Sequence, residues 1–423
     1  MTIDTPSSPE ELADRKERAL ATASEYICPG KIETFTGIGI DLVIGKREGP
    51  YLYTLEGREL IDCHINGGTF NLGHRNPEVL AVLREALETL DIENHHFASE
   101  ARNRCAETLV RLCPGDLHYT VYSSGGGEAI DVAIKTARYA TQRRPIVALE
   151  QGYHGRTGLS GAVGDDSAAR FFLSDGPTDE FVKVPFNDLE AMEDALKRET
   201  VAGVVLETIP ATMGFPMPGP DYLSGVKALC EQYGTLYIAD EVQTGLGRTG
   251  TLWAVEGYGV EPDILVTAKG LSGGLYPIAA TVIGKAHGGW LKENAFGHVS
   301  TFGGAEIGCE VATKVLEMCS DAKVLENVRT MSEYIGKGLE ALKAKYPDKF
   351  LEIRRNGLIM GLVFAGNAGA VMMSKALYDA GVWAMFSGYD LSALQFKPYL
   401  LIDQALADTL LERFETALHA FQP

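Results

Sequence analysis

The chain has 423 residues, 45% hydrophobic and 22% charged, a composition that excludes a disordered protein and allows a large buried core. Its 57 acidic residues outnumber 38 basic ones for a net charge of −19, which opposes binding to nucleic-acid phosphates and to anionic membrane surfaces. Seven cysteines without a CxxC pair predict reduced thiols in a cytoplasmic protein rather than a disulfide framework.

In chain order, the polar start Met1–Leu20 has no apolar run, so no secretory signal is expected. No apolar stretch approaches the roughly eighteen residues of a membrane span. Residues up to about 65 mix a helical start with short strands at Leu42–Ile44 and Leu52–Tyr53. The middle alternates apolar runs with amphipathic stretches, the pattern of an α/β sheet with crossover helices. Strands are predicted at Tyr119–Tyr122, Ile146–Leu149, Val201–Leu206, Leu236–Ala239, Ile264–Thr267 and Ala279–Ile283, and helices at Glu128–Thr141, Leu189–Arg198 and Pro220–Tyr233. The strands are almost continuously apolar, as strands covered on both faces are. A long helix at Val324–Lys345, strands around Leu358–Phe364 and Leu394–Pro398, and a closing helix at Ala405–Phe421 follow. The expected organisation is a large, mostly parallel sheet domain over residues 66–325, beside a small α+β domain built from residues 1–65 and 326–423.

Three segments carry chemistry. Tyr122–Ser123–Ser124–Gly125–Gly126–Gly127–Glu128 follows a strand and opens a helix. Glycines let the backbone approach an anion, and a helix N-terminus offers unpaired N–H groups and partial positive charge, so this is a candidate phosphate cradle. Asp240 ends one strand and Lys269 comes just after another. Ligands of open α/β sheets bind at the carboxyl ends of strands, so the carboxylate and the amine suit one site. A desolvated lysine can attack an aldehyde, and a carboxylate can keep a pyridinium nitrogen protonated. The plainer alternatives are a strand–helix turn, a surface lysine and a helix-capping carboxylate.

Other patterns carry less. Gly245–Leu246–Gly247–Arg248–Thr249–Gly250 matches GxGxxG but lies several residues past its strand, so a dinucleotide site is discounted. The nine histidines show no HExxH or similar spacing, and the neighbours His95–His96 cannot share one face, so no metal site is expected.

The segment Leu236–Tyr237–Ile238–Ala239–Asp240–Glu241–Val242–Gln243–Thr244–Gly245, with Thr267–Ala268–Lys269–Gly270–Leu271–Ser272–Gly273–Gly274–Leu275–Tyr276–Pro277 and a 29-residue spacing from Asp240 to Lys269, resembles the class III, ornithine/4-aminobutyrate-type aminotransferases. The resemblance runs from about residue 35 to the end. It implies a fold-type-I enzyme using pyridoxal 5′-phosphate, a homodimer or dimer of dimers with shared active sites. It also implies that Lys269 forms the Schiff base and moves the proton, and that Asp240 pairs with the pyridine nitrogen. Val242 and Tyr153 would cover the two ring faces, and Gln243 would lie near the phenolic oxygen. Gly126 and Gly127 would hold the phosphate, with Thr301 reaching it from the partner subunit. Arg156 would take a carboxylate remote from the reacting amine.

Departures from the family pattern matter as much. Where many relatives carry an arginine for the α-carboxylate of glutamate, this chain has Gln395, and Thr212 stands at the position of the shielding glutamate. Replacing one charge alone would strand the other at a cost of about 3–5 kcal/mol; replacing both is a coherent redesign. Lys397 is the nearby cation that could substitute. Ile65–Asn66–Gly67–Gly68 lacks an aromatic that some relatives place over the substrate, which implies a wider pocket there. The leading expectation is an aminotransferase acting on a small amine or amino acid and a 2-oxo acid. A racemase, epimerase or lyase on the same scaffold is the alternative, and a non-catalytic binding module is a third reading.

Overall fold

In a computed structural model, residues 8–93, 96–177, 179–198 and 200–423 are described; Met1–Ser7 and His95, which bear on two of the expectations above, lie outside them. The centre is a seven-stranded sheet: β1 (Leu117–Ser123), β2 (Ile146–Leu149), β3 (Phe181–Val184), β4 (Gly203–Glu207), β5 (Leu236–Asp240), β6 (Ile264–Thr267) and β7 (Ala279–Gly284). Their spatial order is β1-β7-β6-β5-β4-β2-β3. From β6 to β3 every pair is parallel, whereas β7 runs antiparallel between β1 and β6. β2, β4, β5, β6 and β7 are buried at every residue, which explains their unbroken apolar runs.

β3 was not expected from the sequence. It is an edge strand paired only with β2, and Lys183 interrupts its apolar run while its amine reaches the carbonyl oxygens of Val163 and Gly164. The reversed direction of β7 was equally illegible, because a fully covered strand has the same composition in either direction.

The helix α1 (Gly126–Thr141) lies on one face of the sheet and buries Ala129, Ile130, Val132, Ala133, Ile134, Thr136 and Ala137. Helices Pro77–Ala86, Glu100–Leu112 and Glu306–Cys319 join the larger core cluster. Two four-stranded sheets complete the chain. One combines Ile44–Glu48, Tyr51–Thr54 and Glu59–Asp62 with Val382–Trp383, which pairs parallel to Glu59–Asp62. The other contains Phe350–Asn356, Ile359–Phe364, Met385–Phe386 and Ala393–Phe396. The first strand begins where the expected Leu42–Ile44 strand was to end: Gly45–Lys46–Arg47–Glu48 is a polar sheet edge with no apolar alternation. The last strand stops at Phe396 because Lys397 N–H turns to Cys63 O (2.6 Å) and Pro398 has no N–H to give.

Candidate active site

The segments that follow β1, β2, β4, β5 and β6 meet at the carboxyl ends of their strands and line a cavity of about 510 Å³. Asp240 is the last residue of β5, in register with Glu207 of β4 and Val266 of β6. Its carboxylate is buried and held at both oxygens: Oδ1 accepts from Val242 N–H (3.1 Å), and Oδ2 lies 2.7 Å from His154 Nδ1. Lys269 follows β6 by two residues and lines the same cavity. Burial pushes its amine below the ordinary lysine range, while the Asp240 and Glu207 charges oppose that shift. Its backbone is left-handed, with φ +43°, a conformation costly for a residue with a Cβ.

The loop facing the amine is itself unusual. Ile65, Asn66, Gly67 and Gly68 all have positive φ (45°, 48°, 67° and 99°). A Cβ at Gly67 would come within 3.5 Å of Lys269 Nζ, so glycine there leaves room for whatever the amine carries.

The cradle is equally tight. α1 starts at Gly126 with Gly125 as an N-cap that has no capping side chain, so its first N–H groups are free to face an anion. A Cβ on Gly127 would lie 3.1 Å from Thr157 Oγ1 and 3.2 Å from Ser160 Oγ, and one on Gly126 would touch Val242. Ser124 N–H and Oγ both donate to Glu128 Oε2 (2.8 and 2.7 Å). Tyr153, Val242 and Gln243 line the cavity between cradle and carboxylate, and the buried Gln243 Oε1 has no hydrogen-bond partner among the described residues. A phosphate at the α1 N-terminus, a flat ring between Tyr153 and Val242, a ring nitrogen at Asp240 and a polar substituent near Gln243 match this donor set, so the residues present fit pyridoxal phosphate.

Two members of the site were missed from the sequence. His154 was noticed only as part of Gly152–Arg156, yet it is fully buried against Asp240, and its Nε2 has no hydrogen-bond partner among the described residues. Glu207 is buried at the end of β4, where it accepts from Tyr153 N–H (3.0 Å) and Ala211 N–H (3.1 Å). Burial raises its carboxyl, and the nearby Asp240 adds to that shift. The only available signal was position, a polar residue directly after an apolar strand. The aromatic lining beyond Tyr153 comes from Phe70 and Tyr276.

Other expected residues stand apart. Arg156 is exposed; its guanidinium stacks 4.7 Å over the Tyr153 ring and donates to Tyr389 Oη (3.4 Å). Thr301 is exposed and lines a separate groove with Leu87, Leu90, Ile92 and Ile307. Gln395 is buried and accepts from Lys397 Nζ (2.8 Å). Gly245–Gly250 is a turn packed against Trp253 and Arg329, outside the cavity lining.

The family model for aminotransferase class-III matches residues 37–418. An aminotransferase of Archaeoglobus fulgidus is 47% identical over 95% of this chain and 94% of its own length. The putrescine aminotransferase of Pectobacterium atrosepticum is 33% identical over 97% of this chain and 90% of its own. Among solved structures, an ornithine aminotransferase of Toxoplasma gondii, crystallised with partial occupancy of the cofactor, superposes with a TM-score of 0.87 at 25% identity, covering 98% of this chain and 99% of that one.

Proposed function

We propose, from the premise that this chain belongs to the class III aminotransferases, how its residues divide the work of moving an amino group between a small amine or amino acid and a 2-oxo acid. The protein is a pyridoxal-phosphate-dependent aminotransferase of fold type I, and its relatives favour transamination over the racemase, epimerase and lyase alternatives.

Pyridoxal phosphate, when bound, supplies a carbonyl carbon for the amine and a ring that withdraws electrons. Asp240 keeps a proton on the ring nitrogen, and His154 orients that carboxylate through the 2.7 Å contact. Lys269 Nζ, whose charged form burial disfavours, takes the proton from the substrate carbon beside the nitrogen and returns it on the other side. Gly126 and Gly127 N–H groups hold the phosphate, Tyr153 and Val242 cover the ring faces, and Gln243 meets the phenolic oxygen.

The donor is a small primary amine or amino acid. A putrescine aminotransferase among the relatives and the neutral pair Gln395 and Thr212 support a donor that does not depend on an arginine for its α-carboxylate. Arg156 takes a second carboxylate where a substrate has one. Thr301, away from its own cavity, serves the phosphate of a second copy, which makes the enzyme a homodimer with shared sites. Residues 66–325 form the cofactor-binding domain, and residues 1–65 with 326–423 form the small one; the sheet joining Glu59–Asp62 to Val382–Trp383 supports that pairing of the termini. The free cysteines fit a cytoplasmic setting, and among the described residues no helix is long and apolar enough to cross a membrane.

The observation that carries this reading is the convergence of Lys269, Asp240 and the α1 N-terminus on one cavity. The test is a screen of amine donors by cofactor absorbance, followed by 2-oxo acids to restore the starting spectrum. Short aliphatic amines should convert the cofactor and a 2-oxo acid should reverse it; α-proton exchange with no spectral conversion would overturn the assignment.

A further inference from the structure

The loop that faces the reactive amine runs between Asp62 and His74. Asn66, Thr69 and Phe70 of this loop line the cavity, and Gly67 is the residue set against Lys269 Nζ. Four consecutive residues, Ile65 to Gly68, hold positive φ. Two of them carry side chains, and for the β-branched Ile65, at φ +45°, the conformation is a genuine outlier. Such a backbone persists only where its surroundings over-determine it.

One carboxylate does much of that work. Asp62 is 3% exposed and ends the strand Glu59–Asp62. Its Oδ1 accepts from Ile65 N–H (2.7 Å) and His64 N–H (3.0 Å), which fixes the start of the loop. Its Oδ2 lies 2.8 Å from Nε2 of the equally buried His74, which fixes the end. The backbones of the two residues rest side by side on one turn. Asp62 N–H donates to Pro50 O (2.8 Å), His74 N–H donates to Gly49 O (2.7 Å), and Gly49 N–H donates back to His74 O (2.9 Å). The pair also reaches the cavity through Phe70. The Phe70 ring centre is 4.0 Å from that of His74, and its edge fills the space that a Cβ on Gly274 would need. Phe70 N–H in turn donates to Ile65 O (3.2 Å). A buried pair of this kind is often no more stabilising than apolar residues of the same volume, so its place beneath a strained loop points to a role beyond stability.

We infer that Asp62 and His74 are positioning residues for the amino-group transfer: they clamp both ends of the loop and so hold Gly67 and Phe70 in place against the Lys269 amine. The inference rests on the aminotransferase reading and goes beyond it. Neither residue lines the cavity, so both act through the loop. The phosphate cradle belongs to α1, a separate element. The clamp therefore governs turnover and leaves cofactor retention intact.

Two substitutions at one position separate the clamp from simple packing. H74F keeps a ring beneath Phe70 and removes the group that meets Asp62. H74Q gives up the ring and keeps an N–H donor near the place of Nε2. Each protein is loaded with pyridoxal phosphate, and loaded sites are counted by cofactor absorbance. Turnover per loaded site is then measured with the short amine that the wild type converts fastest, and with pyruvate as acceptor. A misplacement of about 1 Å can cost on the order of 10²-fold, so H74F should lose at least about tenfold in kcat per loaded site. Its cofactor retention on dialysis should match the wild type, and H74Q should recover most of the lost turnover. Wild-type turnover per loaded site in H74F overturns the inference. So does an H74Q as slow as H74F or slower, which assigns the effect to packing. A retention loss that matches the loss of turnover also overturns it, because the whole site has then loosened.

Should H74F take up no cofactor, D62N is read in its place. Its oxygen stays on the two loop N–H groups, because turning it away strands both, so its NH₂ faces His74. The ring accepts from that NH₂ only with its own proton on Nδ1, which has no hydrogen-bond partner among the described residues. D62N should therefore lose severalfold in kcat per loaded site, and an unchanged value overturns the inference. Failure of the aminotransferase reading is seen separately, as a wild type that converts no amine.

Discussion

His154 Nδ1 lies 2.7 Å from Asp240 Oδ2, with both side chains buried and Asp240 Oδ1 occupied by the Val242 N–H. The carboxylate therefore cannot rotate without breaking a contact on either side, and its direction is set by two segments, the one after β2 and the one after β5.

A hydrogen bond to a charged group is worth about 1.5–3 kcal/mol, so H154A should lower kcat by roughly 10- to 100-fold. D240N, which removes the charge itself, should cost more, on the order of 10²–10³-fold. Steady-state kinetics on cofactor-saturated protein decides; a milder effect for D240N than for H154A would contradict the assigned order of roles.

Lys269 is held below the lysine range by burial, with Asp240 and Glu207 pulling it back. The uncharged amine is the reactive form, so the rate at which apo-protein takes up pyridoxal phosphate should rise with pH. E207Q removes one charge that favours the ammonium, so the rising limb should move to lower pH. Stopped-flow absorbance across a pH series measures both, and a shift toward higher pH in E207Q would refute this coupling. In K269A, borohydride treatment of the loaded protein should leave the peptide around position 269 untagged.

Glu241 is fully buried and accepts from Thr208 Oγ1 (2.5 Å), Thr244 Oγ1 (2.9 Å), Ala254 N–H (3.0 Å) and Val255 N–H (3.0 Å). All four partners donate, so an amide at this position must turn its NH₂ toward at least one of them. Each stranded donor costs about 1–3 kcal/mol, and E241Q should unfold at clearly lower denaturant than the wild type. An unchanged midpoint would show that the cluster does not support the fold.

Arg156 is exposed, so R156A should leave stability nearly unchanged, the stacking on Tyr153 being worth about 0.5–1 kcal/mol. Its effect should appear in KM for substrates with a second carboxylate, which should rise roughly tenfold, about 1.4 kcal/mol. Substrates without that group should keep their KM, and an equal rise for both kinds would remove Arg156 from substrate recognition.

T301A should weaken cofactor retention, although Thr301 is not part of its own chain's cavity. Dialysis followed by absorbance measures the loss. Mixing T301A with K269A subunits should regenerate some sites whose Lys269 and Thr301 are both intact, visible as activity above that of either variant alone; no gain on mixing would contradict shared sites.

The parts of the site legible in the sequence were those announced by local chemistry. Asp240 and Lys269 stood out because β5 and β6 are unbroken apolar runs that stop abruptly, and the cradle because three glycines open a helix. His154 and Glu207 were not legible, since their roles exist only once the segments after β2, β4 and β5 are side by side. The pairing of Lys397 with Gln395 was half legible: strand alternation put them on one side, but only the fold shows that the amine donates to the Gln395 side chain. The misplaced first strand and the unexpected β3 share a cause. Both are sheet edges, where solvent on one flank removes the pressure for apolar residues that makes inner strands visible.

Lys269 takes up a backbone conformation that suits glycine far better than a side chain. Relieving it would return about 1–2 kcal/mol, so a chain with glycine at 269 would gain backbone comfort in the act of losing its amine. Selection for a sturdier protein and selection for a working one thus pull in opposite directions at a single codon. Libraries sorted for thermostability alone should drift toward inert variants at that position unless turnover is screened alongside.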